Sequence, residues 1–494
     1  MAESRNSGRA LVIAAVMASM SMIAIEMTIV STAMPQIATQ LGGLSLYSWV
    51  FSSFLLAQTA MTVVFGKLAD LFGRKPVMLA GIAIFLAGSV LAGFAWSMPV
   101  LIAFRLIQGI GAGAIQPVAM TIVGDLYPAH ERGKVQGYLA SVWAISAVVG
   151  PMVGGFIIHA LSWAWIFWMN VPIGLAAAAG FVAFLHEQPG RRRPSIDIAG
   201  AALFTVAVAA LMIALTDIGA SADTHALYAG AVCVVAAVLF VLQERRAAEP
   251  MISFALWSRR PIAATNASTL LTGMVLMGVT TFLPIYVQGV LQRSPVVAGM
   301  ALTMMMVGWP VGATLSARLF RRFNLRSILV VGSVFIPAGA AVFALMRVDS
   351  APLTAGFGSL VMGFGMGLAA TAALVLIQEL VETGQRGSAT ASNLFARNLG
   401  STLGATVFGA VFNFGLAHAK AIGAVTPEQL RGLLDASANK LAGGNEALRT
   451  ALQQSLHLTF AMVLVVSVAL LLLAMLVPAV VIRRAHEVTT PVAH

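Results

Sequence analysis

The chain contains fourteen apolar runs that are each about as long as a helix needs to cross a lipid bilayer. A spanning helix takes about 20 consecutive apolar residues, and a backbone in lipid must satisfy its own hydrogen bonds. The sequence therefore predicts an all-α integral membrane protein with fourteen transmembrane helices. The runs cover residues 10–32, 46–69, 77–96, 98–124, 135–160, 163–185, 196–216, 225–243, 261–290, 296–319, 327–346, 352–378, 388–415 and 454–482.

The composition supports a membrane protein. Hydrophobic residues make up 59% of the chain and charged residues 10%, against roughly 25% charged residues in soluble domains. A water-soluble protein of 494 residues with this composition would expose large apolar patches and aggregate. The polar residues 1–9 lead into the first apolar run without a small-residue cleavage site. We therefore expect that run to be a retained helix rather than a signal peptide.

The basic residues predict the orientation of the chain. A net charge of +11 can indicate nucleic-acid binding. With the N-terminus inside, however, 21 of the 29 Lys and Arg residues fall on the cytoplasmic side, and six fall on the outer side. Cytoplasmic loops of membrane proteins carry such an excess of Lys and Arg. The placement favours membrane orientation over nucleic acid as the reason for the charge, and an even number of spans puts both termini in the cytoplasm.

The sequence lacks the residues that several kinds of binding and catalytic site require. Cys233 is the only cysteine, which excludes an internal disulfide and a cysteine-based metal site. The eight histidines have no metal-ligand spacing, and no phosphate-binding GxxxxGK[ST] loop is present. We therefore expect neither an enzyme nor a metal or cofactor site. Any uphill movement of solutes would draw on an ion gradient, with protons as the expected ion, or on a partner.

The spans divide into two halves with an insert. The expected units are an N-terminal six-helix bundle at residues 1–190, an inserted two-helix linker at 191–250 and a C-terminal six-helix bundle at 251–494. A long outer loop is expected at 416–453, where residues 426–429 (TPEQ) are typical of a helix start. Transporters built from parallel halves bind their substrate between the halves near the membrane midplane.

The short connection between the second and third spans carries an ordered set of charges. Residues 66–76 read GKLADLFGRKP, and Asp70 stands at a helix C-terminus, where a carboxylate needs an arginine or the N-terminus of another helix. The pattern resembles the loop between helices 2 and 3 of the major facilitator superfamily of membrane transporters. That resemblance implies a cytoplasmic gate in which Asp70 pairs across the halves. A second copy around residues 312–326 is degenerate. The expected gating residues are Gly66, Asp70, Gly73, Arg74 and Lys75.

Two charged residues stand inside predicted spans of the first half. Glu26 lies in a run that resembles the first helix of the fourteen-helix drug/proton antiporters, which usually have aspartate there. Arg105 opens the run RLIQGIGAG, which resembles the fourth helix of the same family. A carboxylate at this depth must pair, face water or take up a proton. The resemblance implies proton coupling by Glu26 and Arg105, and a fixed ion pair with an arginine is the alternative for Glu26.

Two further motifs bear on transport. Residues 150–155 read GPMVGG and resemble the antiporter motif of the superfamily, with Gly150, Pro151, Gly154 and Gly155 as its members. Symporters and uniporters of the superfamily generally lack this motif, so it favours export. Residues 163–174 contain three tryptophans followed by Asn170 and resemble the fourteen-helix branch, although an aromatic belt at the membrane surface also explains them.

The substrate cavity is expected to use four polar residues, namely Gln58, Gln108, Arg397 and Asn398. Arg397 begins a run that resembles the R-x-x-G-x-x-x-G helix of the family, and its side chain either lines the cavity or reaches to the inner surface. One carboxylate within the membrane permits cationic substrates, and two arginines within it equally permit anions. Nothing in the sequence identifies the chemistry of the substrate.

The resemblance covers nearly the whole chain and implies a function. The expected protein is a monomeric multidrug exporter of the bacterial inner membrane that releases small amphiphilic or hydrophobic compounds in exchange for protons. Such a protein would meet small-molecule substrates, protons and membrane lipids as its partners, and could confer antibiotic resistance. An exporter of lipids or metabolites, a proton-coupled uptake carrier and a non-transporting membrane sensor are the alternatives.

Overall fold

The computed structural model describes residues 2–41, 47–186, 197–217, 223–247, 257–293, 295–320, 322–421 and 446–478. These residues form helices joined by short connections, and no strand occurs among them. A π-helical turn, Tyr286–Val290, continues the helix that ends at Ile285, and a 3-10 turn, Thr383–Gln385, precedes the helix that begins at Arg386. The helices are α1 (Ala2–Leu41), α2 (Tyr47–Phe72), α3 (Arg74–Gly93), α4 (Met98–Leu126), α5 (Ala129–Ala160), α6 (Trp165–Trp168), α7 (Asn170–Phe184), α8 (Ile198–Asp217), α9 (Asp223–Glu244), α10 (Arg260–Ile285), α11 (Pro295–Leu319), α12 (Leu325–Ala344), α13 (Pro352–Glu379), α14 (Arg386–Ala421) and α15 (Glu446–Leu476).

Within the described residues, eleven helical segments are long and apolar enough to cross a membrane. They establish a multi-pass membrane protein by length and composition. Three predicted spans, at residues 135–160, 196–216 and 388–415, coincide with α5, α8 and α14, which are not among the eleven. The count of fourteen spans therefore stays a prediction.

Each half has its own apolar core. Phe343, Phe408 and Phe460 are fully buried in a core formed by α10–α15. The first half has a core built from α1–α5 and α7, and Leu374 and Leu394 of the second half also pack into it. The halves therefore share part of their apolar packing, in addition to the contacts of α2 with α14 and of α5 with α11.

Glycines bring helices into close contact at matching places in the two halves. In α4, Gly109 and Gly113 lie directly against the backbone of α2. In α11, Gly308 and Gly312 lie in the same way against the backbone of α13. Helices in lipid gain little from hydrophobic burial against each other, so small residues that let backbones approach are an important source of packing energy.

The inserted helices α8 and α9 pack on each other and on the boundary between the halves. The ring of Phe204 in α8 lies 5.5 Å from the ring of Phe240 in α9 and 5.6 Å from the ring of Phe395 in α14. Phe204 also packs with Ala60 and Val63 of α2. Helix α8 thus contacts one helix from each half.

Parts of the predicted connections lie outside the described residues. The predicted helix start at residues 426–429 and the basic residues 191–193 are among them. Helices α14 and α15 extend into both ends of the loop predicted at 416–453, because α14 ends at Ala421 and α15 begins at Glu446.

Candidate functional site

The Asp70 carboxylate joins the two halves at one end of the bundle. It lies near the end of α2 and accepts hydrogen bonds from the backbone N–H groups of Gly387 (2.9 Å) and Ser388 (2.7 Å) in the first turn of α14. The Ser388 hydroxyl donates a third bond at 2.8 Å. The free N–H groups and the dipole of a helix N-terminus make it a favourable site for an anion. The carboxylate thus finds the kind of partner that its place in the sequence requires.

The residues around Asp70 shape this contact. Gly66 lies against Ala391 and the backbone of Gly387, so no larger side chain fits there without displacing α14. Gly73 has a φ of 97°, a left-handed conformation that favours glycine, where the chain turns from α2 into α3. The Lys75 ammonium donates to the Val182 carbonyl at 2.9 Å.

Arg74 is a largely buried part of the same contact. Its guanidinium lies 3.1 Å from Asp70 Oδ1 and 3.0 Å from Asp125 Oδ2. It also donates to the Thr383 carbonyl of the second half at 2.7 Å. One side chain therefore binds two carboxylates of its own half and a carbonyl of the other half.

Two ion pairs connect the halves beside Asp70, and we call them the cross-half ion pairs. Arg386 of α14 lies 3.3 Å from Asp125 of α4, and Arg132 of α5 lies 2.7 Å from Glu379 of α13. Each half thus contributes one acidic residue at the end of a helix and one arginine near the start of the next helix. The acid of each half pairs with the arginine of the other.

A buried polar network occupies the interior of the first half. The Arg105 Nη1 lies 2.6 Å from Glu26 Oε1, and both side chains are buried, at 1% and 0% exposure. Arg105 also donates through Nε to the Val50 carbonyl at 3.1 Å, and its guanidinium lies 4.3 Å from the centre of the Phe54 ring. The ion pair that the sequence leaves open as an alternative for Glu26 is therefore present in this conformation.

Further side chains complete the network around Glu26. Asn170 Nδ2 of α7 donates to Glu26 Oε2 at 2.5 Å and to Ser89 Oγ of α3 at 3.0 Å. Gln108 accepts from Arg105 at 2.7 Å and donates to Ser89 at 2.7 Å. The structure thus places Gln108 in this network rather than on the cavity wall, where the sequence analysis expected it. Asn170 Oδ1 is buried without a hydrogen-bond partner among the described residues.

The GPMVGG segment of α5 contacts α1 next to this network. Gly150 lies against the Thr28 side chain, and the Thr28 hydroxyl donates to the Ser146 carbonyl at 3.1 Å. Gly154 is buried. The side-chain surroundings of Pro151 and Gly155 lie outside the described part of the chain. Nearer the start of α5, Gly137 lies against Thr314 of the second half.

A cavity of about 900 Å³ lies between the halves. Of the residues predicted to line it, Gln58, Arg397 and Asn398 do so. Gln58 Nε2 donates to Gln116 Oε1 at 3.4 Å on the wall formed by the first half. Met27 also lines the cavity, so the residue that follows Glu26 touches the space between the halves.

Sequence reasoning missed the partners in these contacts. Asp125 and Glu379 are acidic residues at helix C-termini, where the helix dipole disfavours them, and each is followed seven positions later by an arginine. That repeated spacing was the available signal for the cross-half ion pairs. For Asn170 the signal was an amide inside an apolar run, since a polar group at that depth needs a partner.

Comparisons with known proteins agree with this architecture. A family model described as Major Facilitator Superfamily matches residues 14–405. The chain is 35% identical to Multidrug resistance protein 3 of Bacillus subtilis over 393 residues, which are 79% of this chain and 77% of that protein. It is 33% identical to Multidrug transporter protein MdtP of the same organism over 414 residues, which are 83% and 76% of the two chains. The crystal structure of the human organic anion transporter MFSD10 (TETRAN) aligns with a TM-score of 0.64 at 16% identity. The alignment covers 94% of this chain and 99% of that one, and at this identity it shows that the two proteins share a fold.

Proposed function

The chain belongs to the Major Facilitator Superfamily, and we propose that it exports small amphiphilic or hydrophobic compounds in exchange for protons by alternating access. The observation that carries the proposal is the Glu26 carboxylate. It is buried in the first half at 2.6 Å from Arg105, and the next residue, Met27, lines the cavity between the halves. A carboxylate in that position can change its charge and alter the cavity wall at the same time.

The gate contacts support alternating access. In the predicted orientation, the end of α2 and the start of α14 face the cytoplasm. The bonds of Asp70 and the cross-half ion pairs would then close the inner side of the cavity. A transport cycle requires these bonds to break together when the inner side opens. They consist of ion pairs and hydrogen bonds at the partly exposed end of the bundle, which can exchange with water more readily than packed apolar surface.

The network offers a place for a proton. A protonated Glu26 would lose most of its attraction to Arg105 and would gain an O–H donor. Rotation of the Asn170 amide would bring its unpaired Oδ1 toward that donor, since Nδ2 of the same amide contacts Glu26 Oε2 at 2.5 Å. A proton that crosses a potential of about 100 mV supplies about 2.3 kcal/mol for the cycle.

Contacts from Glu26 to the second half supply a route for coupling. Two residues after Glu26, Thr28 is bonded to Ser146 and lies against Gly150 of α5. Helix α5 in turn contacts α11 of the second half through Gly137 and Thr314. A shift of α1 on protonation would therefore be passed to α5 and to the boundary between the halves.

The proposed direction and the proposed substrates of transport rest on the similarity of this chain to other transporters. Two relatives are named as a multidrug resistance protein and a multidrug transporter, and GPMVGG resembles the antiporter motif. On this basis we propose that the protein is of the fourteen-helix drug/proton antiporter type, in the bacterial inner membrane with both termini in the cytoplasm. Export of lipids or metabolites uses the same machinery and differs only in the ligand.

Glu26→Gln tests the coupling. We expect proton-driven movement of a fluorescent probe by the purified full chain in proteoliposomes to fall by more than about tenfold, because a glutamine amide does not ionise near neutral pH and cannot take up and release the transported proton. The probes are ethidium, 1-pyrenebutanol and 1-pyrenebutyrate, and an internal pH dye records the protons. Probe binding to Glu26→Gln should stay close to that of the unmodified protein, which shows that the variant is folded.

Glu382→Gln is the matched control, because Glu382 is exposed on the connection between α13 and α14. It should leave proton-driven transport unchanged. Undiminished proton-driven transport by Glu26→Gln would refute the role of Glu26. Movement of probe and protons in the same direction would identify an uptake carrier, and binding without any movement would identify a sensor.

A further inference from the structure

The cavity between the halves has one charged side chain on its wall, counted over the described residues that line it, and that side chain is Arg397. The other polar groups there are neutral amides and hydroxyls, such as those of Gln58, Gln116 and Asn398. Apolar surface surrounds them, including Trp143 of the first half. The cavity therefore presents a positive charge within an otherwise neutral and largely apolar space.

The Arg397 guanidinium has no protein acceptor in the part of the chain that the structure describes. Its backbone does form a hydrogen bond, because the Arg397 carbonyl accepts one from the Ser401 hydroxyl at 3.2 Å. The backbone is also held by Gly273 of α10, which lies directly against the Arg397 carbonyl. The backbone of the helix is thus held in place, and the guanidinium of Arg397 is left facing the cavity. A guanidinium at membrane depth is unfavourable without a counter-ion or water.

The ion pair that is buried in the first half is not available to a ligand in this conformation. Glu26 and Arg105 satisfy each other at 2.6 Å, and neither side chain is among the residues that line the cavity. A cationic compound in the cavity would therefore meet no carboxylate and would lie near an unpaired arginine. An anionic group would meet a planar donor that can bind two oxygens at once.

We infer that the substrates are amphiphiles with an anionic head group, such as a carboxylate, sulfonate or phosphate, and that Arg397 binds this group. The inference rests on the proposed transport function and adds the charge of the substrate. Asn398 is a second donor on the same wall, since its side-chain amide makes no hydrogen bond among the described residues. Trp309, Met277 and Met306 offer apolar and polarisable surface for the rest of the molecule. A volume of about 900 Å³ is sufficient for a drug-sized compound.

Three probes that differ only in the head group test this inference. They are 1-pyrenebutyrate, 1-pyrenebutanol and 1-pyrenebutylammonium, and their binding to the purified full chain in lipid nanodiscs is followed by energy transfer from tryptophan to pyrene. We expect the anion to bind about tenfold more tightly than the alcohol, and the cation more weakly than the alcohol. Tighter binding of the cation, or equal binding of all three probes, would overturn the inference without any variant.

Variants of Arg397 assign the effect to this side chain. Arg397→Gln should reduce the preference for the anion over the alcohol to about twofold or less, whereas Arg397→Lys should keep part of the preference. Arg347→Gln is the control, because it removes one positive charge from the exposed connection between α12 and α13 and should leave the preference unchanged. A preference that survives Arg397→Gln would overturn the assignment to Arg397.

Proteoliposome transport of the same three probes separates this inference from the proposed function. Proton-driven transport that favours the cation and does not depend on Arg397 would refute the inference and support the transport function. Selective binding of the anion through Arg397, with no proton-driven movement of any probe, would refute the transport function and leave Arg397 as an anion site.

Discussion

The Asp70 carboxylate occupies a position that only an anion fills well. Three donors from the start of α14, namely two backbone N–H groups and the Ser388 hydroxyl, point at its oxygens, and Arg74 lies 3.1 Å away. An asparagine has one acceptor oxygen, and its NH₂ group would face donors instead of binding them. The charge is therefore as important as the shape at this residue.

We expect Asp70→Asn to open the gate. Hydrogen bonds to a charged group contribute about 1.5–3 kcal/mol each, so the closed state should lose at least about tenfold in its population relative to the open state. Spin labels on Phe72→Cys and Glu382→Cys in a Cys233→Ser background measure the opening as a longer distance, because both labelled positions are exposed and lie in different halves. Asp349→Asn, at an exposed residue far from the gate in sequence, should leave the distances unchanged. Unchanged distances in Asp70→Asn would show that the remaining gate contacts suffice.

The helix ends that carry the cross-half ion pairs repeat between the halves. Helix α4 ends near Asp125 and α5 begins near Arg132, while α13 ends at Glu379 and α14 begins at Arg386. In each half the acid and the arginine are seven positions apart, and each acid binds the arginine of the other half. Corresponding helix ends of the two halves thus form two similar bonds, and both break when the halves separate at this end.

A double-mutant cycle on Arg132 and Glu379 tests this arrangement. We expect Arg132→Gln and Glu379→Gln each to destabilise the closed gate, because each removes the 2.7 Å bond between the halves from a partly buried charge. The double variant should be less destabilised than the sum of the two, with a coupling energy of about 1–3 kcal/mol. The same spin-label distances report it. A cycle on Arg132→Gln and Asp349→Asn should be additive, and additivity in the first cycle would show that the pair does not couple the halves.

The inserted helices connect parts of the molecule that alternating access has to move. Helix α8 contacts α2 of the first half through Val63 and α14 of the second half through Phe395. When α2 and α14 change their relative position, α8 cannot keep both contacts unchanged. The insert is therefore expected to slide over one of the two helices during each cycle.

A reversible cross-link tests this movement. A short bifunctional thiol reagent joining Phe204→Cys to Phe395→Cys should stop proton-driven transport, and reduction should restore it, because α8 is then fixed to the second half while it still packs on the first. The control joins Phe204→Cys to Phe240→Cys within the insert, where the rings are equally close, and should leave transport intact. Full transport with the first cross-link would show that α8 moves with α14.

Local patterns in the sequence identify the helices and the family. Each long helix coincides with a predicted apolar run, because the length of an apolar run and its hydrogen-bonding needs in lipid are local properties. The ends agree less well at α1, which is Ala2–Leu41 against a predicted 10–32, and at α15, which begins at Glu446 against a predicted 454. The superfamily resemblance of residues 66–76 is confirmed by the family model over residues 14–405. Proton coupling and the roles of the individual site residues stay predictions.

Only the tertiary structure decides which polar groups meet. The bond between Asp125 and Arg386 joins residues 261 positions apart, and that between Arg132 and Glu379 joins residues 247 positions apart. The repeated spacing of seven positions marks these four residues in the sequence, but only the packing of the helices decides which acid meets which arginine. The same packing places Gln108 beside Ser89 of α3 and turns Arg397 to the cavity. The sequence determines where charges enter the membrane, and the tertiary structure determines which of them are neutralised by a partner and which are left for a ligand.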